Sequence, residues 1–296
     1  MSRPTLVGLG EILWDLFPDG PRFGGAPANF ACTAAGLGDR VATVEMVSAV
    51  GADPLGDQAL AALQSHGVQI GCVPQIGFPT GSVLVELDTR GQATYTFAAN
   101  TAWDNLAWSP TLAGLARRTS LVCFGTLGQR AAPSLATIRR FVEATPAPAW
   151  RLLDINLRPP HWTPEVVRDS LPLANVVKLN DLELAELSPL LDLAGPEPLR
   201  VEQLLRRYSL KLVALTRGER GSLLLSASGE RSELPGEPVT VADTVGAGDA
   251  FSAALALGLV LGHPLQEIHR RASQVAAFVC TQSGATPGIP PELRLG

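Results

Sequence analysis

Short apolar runs punctuate this chain, each followed within a few residues by polar or glycine-bearing sequence. Thr5 to Leu9, Leu121 to Phe124, Leu152 to Ile155, Val176 to Leu179 and Leu212 to Leu215 read as buried strands. Between them lie helical patterns at Ala28 to Leu37, Pro54 to His66, Pro133 to Ala144, Leu182 to Leu187 and Val201 to Tyr208. Strand alternating with helix predicts an α/β fold with a mainly parallel sheet, and such sheets bind ligands at the carboxyl ends of their strands.

Gly81 to Ala99 follows a different rhythm. Val83, Val85 and Leu87 share one face, Asp88-Thr89-Arg90-Gly91 follows, and Ala93, Tyr95 and Phe97 resume the alternation, which predicts a hairpin. A two-stranded ribbon is rarely stable alone, so this one should pack on something. A second hairpin is expected from Gly221 to Val241, turning at Ser228-Gly229. Ala250 to Gly262, the longest nearly uninterrupted apolar run, falls short of the roughly 18 to 20 residues that cross a bilayer and reads as a buried helix. No repeat, low-complexity tract or proline-rich linker divides residues 1–296, so one main domain with a small β appendage is expected.

At 296 residues and 46% hydrophobic content the chain can bury a large core. Its net charge of -5 is spread without a Lys/Arg block, which points to small partners and away from nucleic acid or an acidic membrane surface. The N-terminus lacks the parts of a signal peptide, so a cytoplasmic protein is expected. Cysteines and histidines are scattered without metal-ligand spacing, and no structural zinc is expected. Of the 23 basic residues, Lys178 and Lys211 alone are lysines.

The segment Asp243-Thr244-Val245-Gly246-Ala247-Gly248-Asp249 precedes a long helical run, Ala250 to Leu261. Glycines let the amides of Gly246, Ala247 and Gly248 turn towards one point, where a helix N-terminus adds partial positive charge. Asp249 would sit in the first turn beside that anion site, able to accept the proton of an attacking hydroxyl. The same residues also read as a helix cap and a tight turn.

Other constellations carry paired readings. Asp15, Gly24, Gly25 and Asn29, close to Gly10-Glu11, can line a sugar site or form a loop and cap. Asn156 and Arg158 follow a strand, so Arg158 could contact substrate oxygens or close a surface salt bridge. Asn180 and Glu183, three apart, have the form of a hydrated Mg²⁺ site and equally of a capping box. Thr216-Arg217-Gly218-Glu219-Arg220-Gly221 leads from a strand into the second hairpin, and a Gly-x-x-Gly alone is more often a turn.

The string from Asp243 to Asp249 resembles the second signature of the PfkB, or ribokinase-like, carbohydrate kinase family, and the resemblance extends over essentially the whole chain. It implies a three-layer Rossmann-like fold with a β lid, Asp249 as catalytic base, and a phosphate held by the amides of Gly246, Ala247 and Gly248. Gly-Gly-Ala-Pro-Ala-Asn looks like the fructokinase branch, which implies that Asp15, Gly24, Gly25 and Asn29 line the sugar. Asp154-x-Asn156-x-Arg158 is similar to fructokinases and 2-keto-3-deoxygluconate kinases. Asn180 and Glu183 match an Asn-x-x-Glu motif with a magnesium role. Thr216, Gly218, Gly221 and Thr244 fall on the nucleotide side. Asp243 and Ser283-Gly284-Ala285 resemble a monovalent cation site, with K⁺ as the candidate ion. The ribbon carrying Tyr95 and Phe97 looks like the lid, formed by residues 11–25 and 81–100, although its apolar face could instead join two copies.

The resemblance implies a monomeric or homodimeric ATP- and Mg²⁺-dependent kinase of a primary sugar hydroxyl, with D-fructose the leading substrate. Kinases of 2-keto-3-deoxygluconate, ribose or nucleosides on the same fold are the alternatives. A non-catalytic sugar sensor is a further one, which the intact Asp249 disfavours.

Overall fold

The computed structural model describes residues 3–87 and 93–295, so the expected turn at Asp88-Thr89-Arg90-Gly91 lies outside the described residues. The strands are β1 (Thr5–Leu9), β2 (Leu13–Phe17), β3 (Gly20–Gly24), β4 (Thr43–Val47), β5 (Val50–Gly51), β6 (Gln69–Cys72), β7 (Gln75–Ile76), β8 (Gly81–Leu87), β9 (Ala93–Phe97), β10 (Leu121–Gly125), β11 (Trp150–Asp154), β12 (Val176–Asn180), β13 (Leu212–Thr216), β14 (Ser222–Ser226) and β15 (Arg231–Leu234). The helices are α1 (Ala26–Gly38), α2 (Pro54–Ser65), α3 (Pro110–Ala116), α4 (Ala132–Glu143), α5 (Pro164–Ser170), α6 (Asp181–Leu190), α7 (Glu197–Arg207), α8 (Ala247–Leu261) and α9 (Leu265–Cys280).

Among the described residues the main sheet has nine strands in the order β15-β14-β13-β12-β11-β10-β1-β4-β6. From β13 to β6 every pairing is parallel, and β14 and β15 extend the sheet antiparallel. Its strands are apolar on both faces because helices cover both. Leu6, Leu121, Leu152, Val176 and Leu212 face a core shared with α1, α2, α8 and α9. The alternate residues Val7, Val122, Leu153, Val177 and Val213 face a second core shared with α3 to α7. Period-two alternation within an apolar strand thus feeds two helical layers.

Helix α8 is buried almost all round, from Ala250 to Gly258, which is why its sequence lacks a polar stripe. Each leucine it buries contributes about 1.5–3 kcal/mol. It packs between α1 and α9, and this fixes its N-terminus over the carboxyl ends of β11 and β12.

A second sheet of four strands, β3-β2-β8-β9, holds the predicted alternating ribbon. Val83 pairs with Phe97 and Val85 with Tyr95, so the apolar residues of both strands share one face. Val83, Leu13, Trp103 and Leu127 form a small core of their own, with Phe97 against it. The hairpin at Ser228-Gly229 forms as β14 and β15, with Gly229 at φ 87°; residues beyond Leu234 leave the sheet. Among the described residues no helix is long and apolar enough to cross a membrane.

Candidate active site

The carboxyl ends of the parallel strands bring the singled-out motifs together. In register across the sheet stand Gly125, Asp154, Lys178 and, two residues further along β12, Asn180 beside Thr216. Over them comes the start of α8. Gly246 is its N-cap, in the left-handed region at φ 80°. A Cβ there would stand 2.5 Å from the carbonyl oxygen of Ala285, so both the dihedral and the close approach require glycine. Ala247, Gly248 and Asp249 occupy the first turn, whose N–H groups have no carbonyl inside the helix to meet. The Ala247 amide is partly taken, donating to the Thr244 carbonyl at 3.3 Å.

Asp249 is joined to the other end of the chain. Asn29, in the first turn of α1, donates from Nδ2 to Asp249 Oδ2 at 2.8 Å. Gly25 starts that helix at φ 106°, accepts from the Asn29 amide at 2.8 Å, and would place a Cβ 2.6 Å from the Glu11 carbonyl oxygen. Gly24 runs beside a side chain, its Cβ position a tight 3.3 Å from Asp15 Oδ2. The glycine pair therefore lets β3 turn into α1 against the residues that carry Glu11 and Asp15.

Burial pushes the Asp249 carboxyl up to about 6, helped by the negative charge of Asp154 and opposed by the Asn29 hydrogen bond, Lys178 and Arg158. Glu11, which the motifs quote but assign no role, is pushed up to about 7, chiefly by burial. Burial also raises Asp15, against the pull of Arg158 and Arg22. The positive charge of Arg158, an exposed residue, acts on all three carboxyls. Glu11 Oε2 and Asn29 Oδ1 are buried without a protein partner. Unpaired buried acceptors are costly and call for a polar ligand or water. A small pocket of about 10 Å³ reaches this place, lined in part by Glu11, Ala26, Asp154 and Asn156.

Asn156, at φ 40°, and Arg158 lie on the turn after β11, held by two bonds from neighbouring elements. Ile155 N donates to the Lys178 carbonyl at 3.0 Å and Leu157 N to Glu183 Oε1 at 2.9 Å. Asn180 and Glu183 form the capping box, with Glu183 N donating to Asn180 Oδ1 and Asn180 N to Glu183 Oε2, each at 2.8 Å. Both Glu183 oxygens are thus engaged by backbone amides, and its visible work is to brace the Arg158 turn.

Phe97 reaches the site from the small sheet, its ring 4.8 Å from that of His161, whose amide donates to the Arg158 carbonyl at 2.7 Å. Tyr95 stands two residues further along the ribbon, opposite Val85, and is 57% exposed. On the opposite flank, Asp243 Oδ1 accepts from Val245 N at 3.0 Å and Oδ2 from Gly284 N at 3.2 Å. Asp243 and the Ser283 segment therefore meet, each carboxylate oxygen accepting one backbone amide. Thr244 is exposed beside them. Gly218, at φ 56°, has open space around it, whereas a Cβ on Gly221 would stand 2.0 Å from the Leu234 carbonyl oxygen, so Gly221 serves the hairpin. Among the described residues no group of three or more His, Cys, Asp or Glu is placed to hold a metal ion.

An α/β sheet that sets a glycine-started helix, a carboxylate and a small β sheet at its strand ends defines the ribokinase-like fold. The pfkB family carbohydrate kinase profile matches residues 20–292, and the chain belongs to that family of sugar kinases. Fructokinase of Salmonella typhimurium is 31% identical over 301 residues, covering 95% of this chain and 95% of that protein. Among solved structures, fructokinase from Vibrio cholerae O395 with fructose, ADP and calcium ion bound superposes with a TM-score of 0.80, at 24% identity over 98% of this chain and 97% of that one. Aminoimidazole riboside kinase from Salmonella enterica, complexed with aminoimidazole riboside and an ATP analog, superposes at 0.82, with 23% identity over 98% of each chain.

Proposed function

We propose that this chain transfers the γ-phosphoryl group of ATP to a primary hydroxyl of a small sugar, D-fructose foremost, giving fructose 6-phosphate and ADP. The observation that carries the reading is the hydrogen bond between Asn29 and Asp249, which sets a carboxylate and a free amide oxygen at the mouth of an anion-binding helix. Fructokinases at about 30% identity over nearly the whole chain support fructose over other sugars.

In this reading Asp15, Asn29 and Arg158 position the sugar with its primary hydroxyl against Asp249. Asp249 takes the hydroxyl proton, the oxygen attacks the γ-phosphorus, and the bond to the ADP oxygen breaks. The Gly248 amide and its neighbours in the first turn stabilise charge on the transferring group. The nucleotide lies along Thr216, Gly218 and Thr244. Residues 11–25 and 81–100 act as a lid that excludes water from the transfer.

Magnesium, carried with the phosphates, would neutralise their charge. Glu183 and Asn180 would fit it through water: each Glu183 oxygen already accepts a backbone N–H, and the lone pair it keeps can accept from a water of the hydrated ion. A monovalent cation would be held by Asp243, whose two oxygens each keep a lone pair beside the N–H they accept, and by carbonyls of the Ser283 segment.

A coupled ADP-release assay over fructose, 2-keto-3-deoxygluconate, ribose and a nucleoside tests this. Fructose is expected to give the highest kcat/KM, and a strong signal from another acceptor with none from fructose would replace the substrate.

A further inference from the structure

Beneath the first turn of α8 lies a buried ion pair to which the reading above gives no role. Lys178 on β12 and Asp154 on β11 are register partners. The ammonium stands 3.1 and 3.2 Å from the two carboxylate oxygens, and Ser252, four residues along α8 from Gly248, donates to Asp154 Oδ2 at 2.8 Å. All three side chains are buried. A Cβ on Gly248 would stand 2.8 Å from Lys178 Nζ, so the ammonium presses against the backbone of the helix start and glycine leaves it room.

Such a pair needs a reason. Removing each charge from water costs several kcal/mol, and apolar residues of similar volume usually stabilise as well or better. The charge surrounding Lys178 is uniformly negative: besides Asp154 it faces Glu183 from α6 and Asp249 from α8. Asp154 holds the ammonium on both of its oxygens, so the charge is fixed in place. The protein thus keeps a permanent cation under the one turn where a phosphate is to be held. In a site shielded from water, fixed charge of this kind acts far more strongly than at a surface.

We propose that Lys178 is a positioning residue for phosphoryl transfer: clamped by Asp154 beneath Gly248, its ammonium adds fixed positive charge to the anion-binding turn of α8, beside Asp249. The inference rests on the kinase reading of α8, and it assigns Ser252 the task of orienting Asp154. Lys178 touches neither substrate. It acts through the helix start and through Asp249, which also faces Asn29, Arg158, Glu11 and the Cys123 thiol.

The test compares K178M, D154N and the double variant K178M/D154L, which replaces the pair by apolar residues and so keeps the fold where K178M alone strands a buried carboxylate. Thermal melts establish folding, and ATP-dependent turnover of the best sugar is followed from pH 5 to 8. In K178M/D154L, kcat at saturating substrates is expected to fall about 10-fold or more with the sugar KM little changed. The acid limb of kcat/KM is expected to move up in pH in K178M and down in D154N, because one loses the cation and the other an anion beside Asp249. A folded double variant with kcat within about 2-fold of wild type would overturn the inference, as would limbs that stay put or move together. A wild-type protein that phosphorylates no sugar overturns the kinase reading and this inference with it, whereas active wild type with unmoved variants removes the inference alone.

Discussion

Asn29 and Asp249 stand 220 residues apart in the chain and share a 2.8 Å hydrogen bond between the first turns of two helices. In the proposed reaction that bond couples the sugar side of the site to its base. The Asn29 amide uses its N–H₂ to hold the carboxylate, which leaves its oxygen, buried and unpartnered, free to accept a sugar hydroxyl. Under the proposed function one side chain would thus position both the nucleophile and the group that deprotonates it.

Asp249→Asn is expected to lower kcat by about 10²–10⁴-fold, the span typical for loss of a general base. Sugar affinity should change little, because Asn keeps the volume and one acceptor. ADP release and calorimetric titration with the sugar read the two quantities, and near-normal turnover would remove Asp249 as base.

The carboxyl of Asp249 is held near 6 by burial and Asp154. A base must be deprotonated to work, so kcat/KM is expected to be level near pH 8 and to fall tenfold per unit once pH drops below about 6. A profile with no acid limb above pH 5 would contradict this.

Asn29→Ala removes the hydrogen bond that opposes the rise in Asp249. The acid limb should therefore move to higher pH in this variant, and the sugar KM should rise with it. A KM change with an unmoved limb would mean that Asn29 serves the sugar alone.

Much of this was legible in the sequence where function is written locally. The α8 start was, because two glycines and two carboxylates fall within seven residues just ahead of a long apolar run, and so were β1 and β10 to β13, whose apolar runs are short and sharply bounded. Helix α9 is less so: its buried positions Leu265, Ile268, Ala272, Val275 and Val279 keep helical spacing, but a fully buried His269 interrupts the stripe. That histidine is satisfied by Ser222 and Ser232 at 2.7 and 2.8 Å, partners that exist only once β14 and β15 are in place. Lys178 and Glu11 escaped for the same reason. Their meaning lies in which strands are neighbours, and strand order is not written in any one segment. Tyr95 shows the converse, since its alternation with Phe97 placed it on the right face but said nothing of how far out along the ribbon it stands.

Gly246 and Gly218 both sit at positive φ, at 80° and 56°, but in different surroundings. A methyl group on Gly218 meets open space, so Gly218→Ala is expected to cost about 1–2 kcal/mol for the left-handed backbone alone. On Gly246 it collides with Ala285 backbone, and Gly246→Ala is expected to cost about 2–5 kcal/mol and to abolish turnover. Urea melts order the two. If Gly218→Ala is folded yet has a raised ATP KM, the open space beside it belongs to the nucleotide.

A base kept near 6 also has a signature in stability. Asp249 ordinarily titrates at 3.8 and in the folded protein at about 6, so between these values the native state holds a proton that the unfolded chain has released. Stability then falls as pH rises through that window and stays lower above it. Asp249→Asn removes the penalty, and because the side chain is half-buried the gain at pH 8 is expected to be on the order of 1–2 kcal/mol, less than the full shift implies. At pH 3.5, where both states are protonated, the same variant should gain nothing. Glu11, raised to about 7 by deeper burial, extends the window upward, and Glu11→Gln should show the same pattern displaced to higher pH. Urea melts of the wild type and both variants across pH 3.5 to 8 separate this from a general packing effect, which would shift stability equally at every pH; a parallel offset would mean that the fold does not strain to keep Asp249 and Glu11 charged at neutral pH.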